Sequence, residues 1–154
     1  MKILLTKSEY RTLFDMIYMA EWMLTAFEAK PGPLKAKYHH LAQKIYSHAK
    51  EMGWESLVES STAENEYFPT LEYEDKSGVH DLIDEYEADS FWEQLIERLT
   101  ERDVYARAGT TPAQPLSHDA YLAIAEPLEK EYAREFSEHG VDHVIVTPPA
   151  AGAR

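Results

Sequence analysis

The sequence predicts a mainly α fold: a single-domain antiparallel helical bundle of four to five helices, with a small two- or three-stranded sheet from the termini and residues 70–74. Three observations carry this expectation. Apolar residues recur at i, i+3, i+4 and i+7, glycine and proline separate the periodic stretches, and Thr or Ser followed three residues later by Glu marks two helix starts. With 154 residues, 44% of them hydrophobic, the chain has the length for one domain and the apolar content for a conventional core. Residues 1–147 are assigned to that domain, and 148–154 to a frayed tail.

The first helix is expected over residues 6–28. Thr6-Lys7-Ser8-Glu9 has the capping-box pattern, in which the Thr6 oxygen accepts from the Glu9 amide and Glu9 reaches back. Lys30-Pro31-Gly32-Pro33 ends it and starts the next helix, since proline suits a first helical position. The second helix, with a Leu34, Leu41 and Ile45 stripe, is expected to run to about Met52 and stop at Gly53, making a helical hairpin.

Periodicity is lost from Trp54 to Gly78, except that Thr70-Leu71-Glu72-Tyr73-Glu74 alternates as a strand does. Val79, Leu82, Ile83 and Tyr86 restore helical spacing. A separate start is expected at Ser90-Phe91-Trp92-Glu93, with that helix ending before Gly109. Thr110–Leu116 is a loop. Ser117 caps a last helix whose Tyr121, Ala125, Leu128, Tyr132 and Phe136 share one face, and Pro127 within it predicts a kink or break. The β-branched run Val141–Val146 is assigned to a strand pairing with Ile3–Leu5 or with residues 70–74.

Charge is distributed unevenly. The 28 acidic residues outnumber the 15 basic ones, for a net charge of −13; residues 55–105 alone hold 16 acidic side chains and 3 basic ones. That balance argues against nucleic acid and against an anionic membrane surface, both of which need Lys and Arg. With no cysteine, thiol nucleophiles, disulfides and Cys-ligated zinc are excluded. GxGxxG, GxxxxGK[ST], GxSxG and HExxH are all missing, so no cofactor is expected. Ile3-Leu4-Leu5 is too short an apolar run for a signal peptide, and Asp15 and Glu21 interrupt the greasiest segment, so the expectation is a cytoplasmic protein.

Glu93, Glu97 and Glu101 recur every four residues, opposite Trp92, Leu95, Ile96 and Leu99, as an acidic ridge. Together with Asp81, Asp84 and Glu85 they are expected to lie in solvent, where they keep the protein soluble and offer a docking surface to a basic partner. Glu21 is the one acid placed inside the apolar stripe of the first helix, among Tyr10, Phe14, Ile17 and Leu24. A carboxylate there takes a partner or a raised pKa, which makes it the candidate catalytic acid; the Tyr38 hydroxyl across the hairpin is the expected partner. Asp15 is expected to pair with Arg11 one turn away. His39 and His40 are expected to face solvent. His80 with Asp84, and His139 with His143 in the string Glu135, Glu138, His139, Asp142, His143, are the candidate metal ligands. The simpler reading, that each serves a helix end, is preferred, so no metal is expected.

These observations favour a non-enzymatic interaction module, of the inhibitor, antitoxin or adaptor kind, that presents acids to a basic protein surface. The alternative is a small metal-dependent all-α phosphohydrolase, which would need inward-facing carboxylates beside a cavity. A homodimer through the first helix, whose Met16, Met19, Met23 and Phe27 extend the apolar surface, is a third expectation.

Overall fold

In a computed structural model of the chain, the residues described are 2–26 and 32–147. They form five α-helices and a two-stranded antiparallel sheet, a mainly α fold: α1 Lys7–Thr25, α2 Pro33–Tyr46, β1 Val58–Ser61, β2 Glu66–Pro69, α3 Leu71–Lys76, α4 Val79–Ala108 and α5 His118–His139. Contacts fall into two compact units, Met1–Tyr86 and Glu87–Arg154, with the boundary inside α4. None of these helices is long and apolar enough to cross a membrane. Phe27, Lys30, Pro31 and the 148–154 tail, all named in the expectations, lie outside the described residues.

In the first unit, α1 begins as its sequence requires: the Glu9 amide donates to Thr6 Oγ1 at 3.2 Å, and the Thr6 amide donates to Glu9 Oε2 at 2.8 Å. One turn apart, Tyr10, Phe14 and Tyr18 are buried. Phe14 is fully enclosed, its ring centroid 4.8 Å from that of Tyr46 and 4.9 Å from that of Tyr73, the latter meeting it edge-on. A core of tyrosines must also satisfy hydroxyls. Tyr10 donates to the Ile45 carbonyl at 2.6 Å and Tyr73 to Asp15 at 2.7 Å, while Asp15 also pairs with Arg11 as expected.

Pro33 opens α2 behind Gly32, as predicted, but the buried stripe is not the expected one. Ala42, Tyr46 and Ala49 face the core, whereas Leu34 and Leu41 are exposed. Volume explains the rotation: α1 brings three rings to the interface, small Ala42 and Ala49 leave room for them, and a leucine stripe would overpack it. Regular helix ends at Tyr46, earlier than expected, and successive turns carry the chain to Gly53. Gly53 has φ +72°, and a Cβ there would stand 3.0 Å from Lys7 Nζ.

The sheet is also displaced from its expected place. β1 and β2 form a hairpin in which Val58 faces Pro69 and Ser61 faces Glu66. Residues 71–76 are helical, because Pro69 ends the strand and the Thr70 hydroxyl caps α3 by accepting from the Tyr73 amide at 3.2 Å. Local capping thus overrides the alternation, and Tyr73 is buried while Leu71 is exposed. Neither Ile3–Leu5 nor Val141–Val146 pairs as a strand, and both segments are exposed.

The expected break at Ser90 is absent from α4, which is continuous for 30 residues. No glycine or proline stands between Val79 and Ala108, so continuing the backbone hydrogen bonds costs less than restarting at a cap. Val79 and Ile83 are buried; Leu82 and Tyr86, expected on the same face, are exposed. In the second unit, Val104, Ala125 and Leu128 form a buried cluster edged by Leu116, Tyr121, Ile124 and Tyr132. Ser117 caps α5 and its apolar face is the predicted one, with Phe136 stacked on Tyr132. Pro127 does not break α5. It lies on the exposed side, where the Ala123 carbonyl that loses its donor can meet water.

Candidate functional site

In the first unit a cleft of about 750 Å³ opens between α1, α2 and the hairpin, within the range usual for ligand pockets. Tyr18, Glu21 and Trp22 come from α1, His39, Gln43 and Tyr46 from α2, and Glu66, Tyr67 and Phe68 from β2, with Glu64 and Glu74 at its edges. Gln43 sets the position of β2. Its side-chain amide donates to the Tyr67 carbonyl at 2.9 Å and accepts from the Tyr67 amide at 2.7 Å, so it binds the strand's backbone as a neighbouring strand would.

That docking brings three charged groups into line. His39 Nδ1 lies 2.8 Å from Glu21 Oε1 and His39 Nε2 lies 3.1 Å from Glu66 Oε1. An ionised carboxylate only accepts, so both ring nitrogens must donate, which describes an imidazolium. Burial opposes that charge; the hydrogen bonds to Glu66 and Glu21, and the charges of both, outweigh it and raise the imidazole pKa above its ordinary value. A second line of contacts runs through Tyr18. Tyr18 donates to Glu74 at 2.9 Å and its oxygen lies 2.9 Å from His80 Nε2, which leaves His80 the donor of that contact. Burial first, then the bond to Glu74, pushes the Tyr18 phenol well above its usual range.

Tyr46 stands between these groups. Its hydroxyl is buried with no hydrogen-bond partner among the described residues. Burial raises the phenol far above its usual range, and the nearby Glu21 carboxylate adds to this. The cleft therefore holds four carboxylates, Glu21, Glu64, Glu66 and Glu74, against the single imidazolium of His39, with Tyr18, Trp22, Tyr46, Tyr67 and Phe68 as aromatic walls. An excess of negative charge beside ring faces suits a cation.

Glu21 is inward-facing as predicted, but its partner is His39; Tyr38 is about half exposed. His39 was expected in solvent, and the same rotation of α2 that buries Ala42 and Tyr46 turns it inward; His40 is exposed. Solvent exposure of the acids in residues 55–105, expected from their charge density, fails for Glu66 and Glu74, half-buried at the cleft, and for Asp103, half-buried in the second unit, where it accepts from the Tyr132 hydroxyl. It holds for Asp81, Asp84 and Glu85 in the first unit and for Glu93, Glu97 and Glu101 in the second, all exposed. His80 and Asp84 are not brought together as ligands: His80 is engaged with Tyr18. His139 and His143 do meet, with ring centroids 4.5 Å apart. Gln43, Tyr46, Glu66 and Glu74 had no signal of their own in the sequence beyond the i, i+3, i+7 relation of His39, Ala42 and Tyr46. Comparisons of the chain with protein-family models, with curated proteins and with solved structures gave no match.

Proposed function

We propose that this protein is a non-enzymatic binding module whose cleft receives a cationic side chain, lysine or arginine, from a basic partner. The supporting observation is the surplus of carboxylates over His39 in an aromatic-walled hollow, beside a buried Tyr46 hydroxyl that has no hydrogen-bond partner among the described residues. A guanidinium or ammonium entering there gains ring faces from Trp22 and Tyr67, acceptors from Glu21 and Glu66, and the oxygen of Tyr46. The exposed acids Asp81, Asp84 and Glu85, and the Glu93, Glu97 and Glu101 ridge of the second unit, add a field of the sign that speeds encounter with such a partner. This reading keeps the basic partner expected from composition and moves the recognition chemistry from the exposed ridge to the cleft.

The test is a titration of the full chain with an Arg- and Lys-rich peptide and, as control, the same peptide with Gln at those positions, followed by Trp22 fluorescence. Binding that weakens about tenfold for Glu66→Gln, and falls with added salt, supports the reading. Equal binding of the two peptides sinks it. The metal-dependent phosphohydrolase is the second reading, favoured by the inward turn of Glu66 and Glu74; magnesium-dependent nucleotide hydrolysis lost in Glu21→Gln would replace the first reading with that one.

A further inference from the structure

Far from the cleft in sequence, the end of α5 gathers a different set of donors. Glu135 and His139 are one turn apart on α5, and the chain reverses at Gly140, whose φ of +55° lies in the left-handed region that side chains disfavour. Amide-to-carbonyl bonds fix the reversal: Gly140 to Phe136 at 3.0 Å, Asp142 to His139 at 3.1 Å and Val144 to Val141 at 2.9 Å. The turn returns His143 onto the last helical turn. One ligand atom from each of Glu135, His139 and His143 lies within 4.8 Å of the others, and His143 Nδ1 is 2.5 Å from Glu135 Oε1.

We propose that Glu135, His139 and His143 form a binding site for a divalent transition metal, with zinc as the reference ion. Two imidazoles and one carboxylate are a ligand set that zinc accepts with a water in the fourth position. Ligand atoms about 2.0–2.2 Å from a common ion lie roughly 3–4 Å apart, so the cluster needs only side-chain rotation, which its exposure allows. The metal replaces the proton shared by His143 and Glu135. The nitrogen donors favour zinc, nickel and copper over magnesium and calcium. The site is formed within the second unit and is independent of the cleft.

Calorimetric titration of the full chain with zinc chloride alone, near neutral pH, tests this. One ion per chain is expected, with affinity reduced at least about tenfold in His139→Ala and in His143→Ala, and less in Glu135→Gln. Magnesium should not compete. The ring nitrogen resonances of His139 and His143 should move on zinc addition while those of His39 and His80 stay in place. His139 and His143 are exposed and Glu135 is only half-buried, so circular dichroism should show the variants folded. Unchanged zinc affinity in His143→Ala, or resonance shifts confined to other histidines, overturns the proposal.

Discussion

His39 donates from Nδ1 to the Glu21 carboxylate over 2.8 Å, joining the two helices of the hairpin through a charge-assisted bond. Because the folded state raises the imidazole pKa, the folded chain holds that proton more tightly than the unfolded one. The stabilisation is therefore fully present below the ordinary histidine value of 6.5 and is lost as pH rises through the raised value. Urea unfolding of wild type and His39→Gln should show a stability difference that is largest near pH 6 and shrinks toward about pH 9. A difference that stays constant across that range would mean that His39 acts by packing alone.

Two buried tyrosines with opposite hydrogen-bond fates give a second prediction. Tyr73 has Asp15 as acceptor, so Tyr73→Phe should cost about 1–2 kcal/mol. The Tyr46 hydroxyl is buried with no hydrogen-bond partner among the described residues, so Tyr46→Phe should leave stability unchanged or raise it by up to about 1 kcal/mol. The same Tyr46→Phe change should weaken the basic peptide if that hydroxyl receives the incoming cation. Denaturant midpoints and peptide titrations on one pair of variants separate these effects. Equal loss of stability in both would show that Tyr46 is hydrogen-bonded after all.

The position of α2 gives the third. Phe14→Ala should remove about 3–5 kcal/mol, since the ring is fully enclosed by Tyr46 and Tyr73. Leu41→Ala, at a residue half exposed, should change stability by no more than about 0.5 kcal/mol. If Leu41→Ala proved as costly as Phe14→Ala, the helix would have the rotation that its leucine stripe suggests.

What the sequence made legible was chemistry that acts within a turn or two of helix. The Thr6 and Glu9 box, Pro33 at the start of α2, the Ser117 cap and the Tyr121 to Phe136 face of α5 all depend on neighbours a few residues away, and all formed. The misreadings have more than one origin. Whether Leu41 or Ala42 turns inward depends on the volume that α1 presents, whereas residues 71–74 coil through the local Thr70 cap that their alternation concealed. Glu21 stood out because a lone acid on an apolar stripe is a local anomaly. His39 and Glu66 did not, because their roles exist only once β2 is clamped by Gln43, 24 residues away in sequence.

Pro127 supplies the last prediction. Proline within a helix removes one backbone hydrogen bond and crowds the preceding turn, at a cost of about 3 kcal/mol relative to alanine. α5 runs through it without a break, between the buried residues Ala125 and Leu128, whose packing with Val104 holds the helix in place despite that cost. Pro127→Ala should therefore restore the bond to the Ala123 carbonyl and stabilise the second unit by about 1–3 kcal/mol, less than the full amount if the helix has already relaxed around the ring. Trp92, whose ring lies 5.5 Å from Phe136, reports on that unit, while Trp22 and Trp54 report on the first. Single-tryptophan variants retaining Trp92 should show the unfolding midpoint rise with Pro127→Ala. A lower midpoint would mean that proline's rigidity, which reduces the freedom of the unfolded chain, outweighs its cost inside the helix.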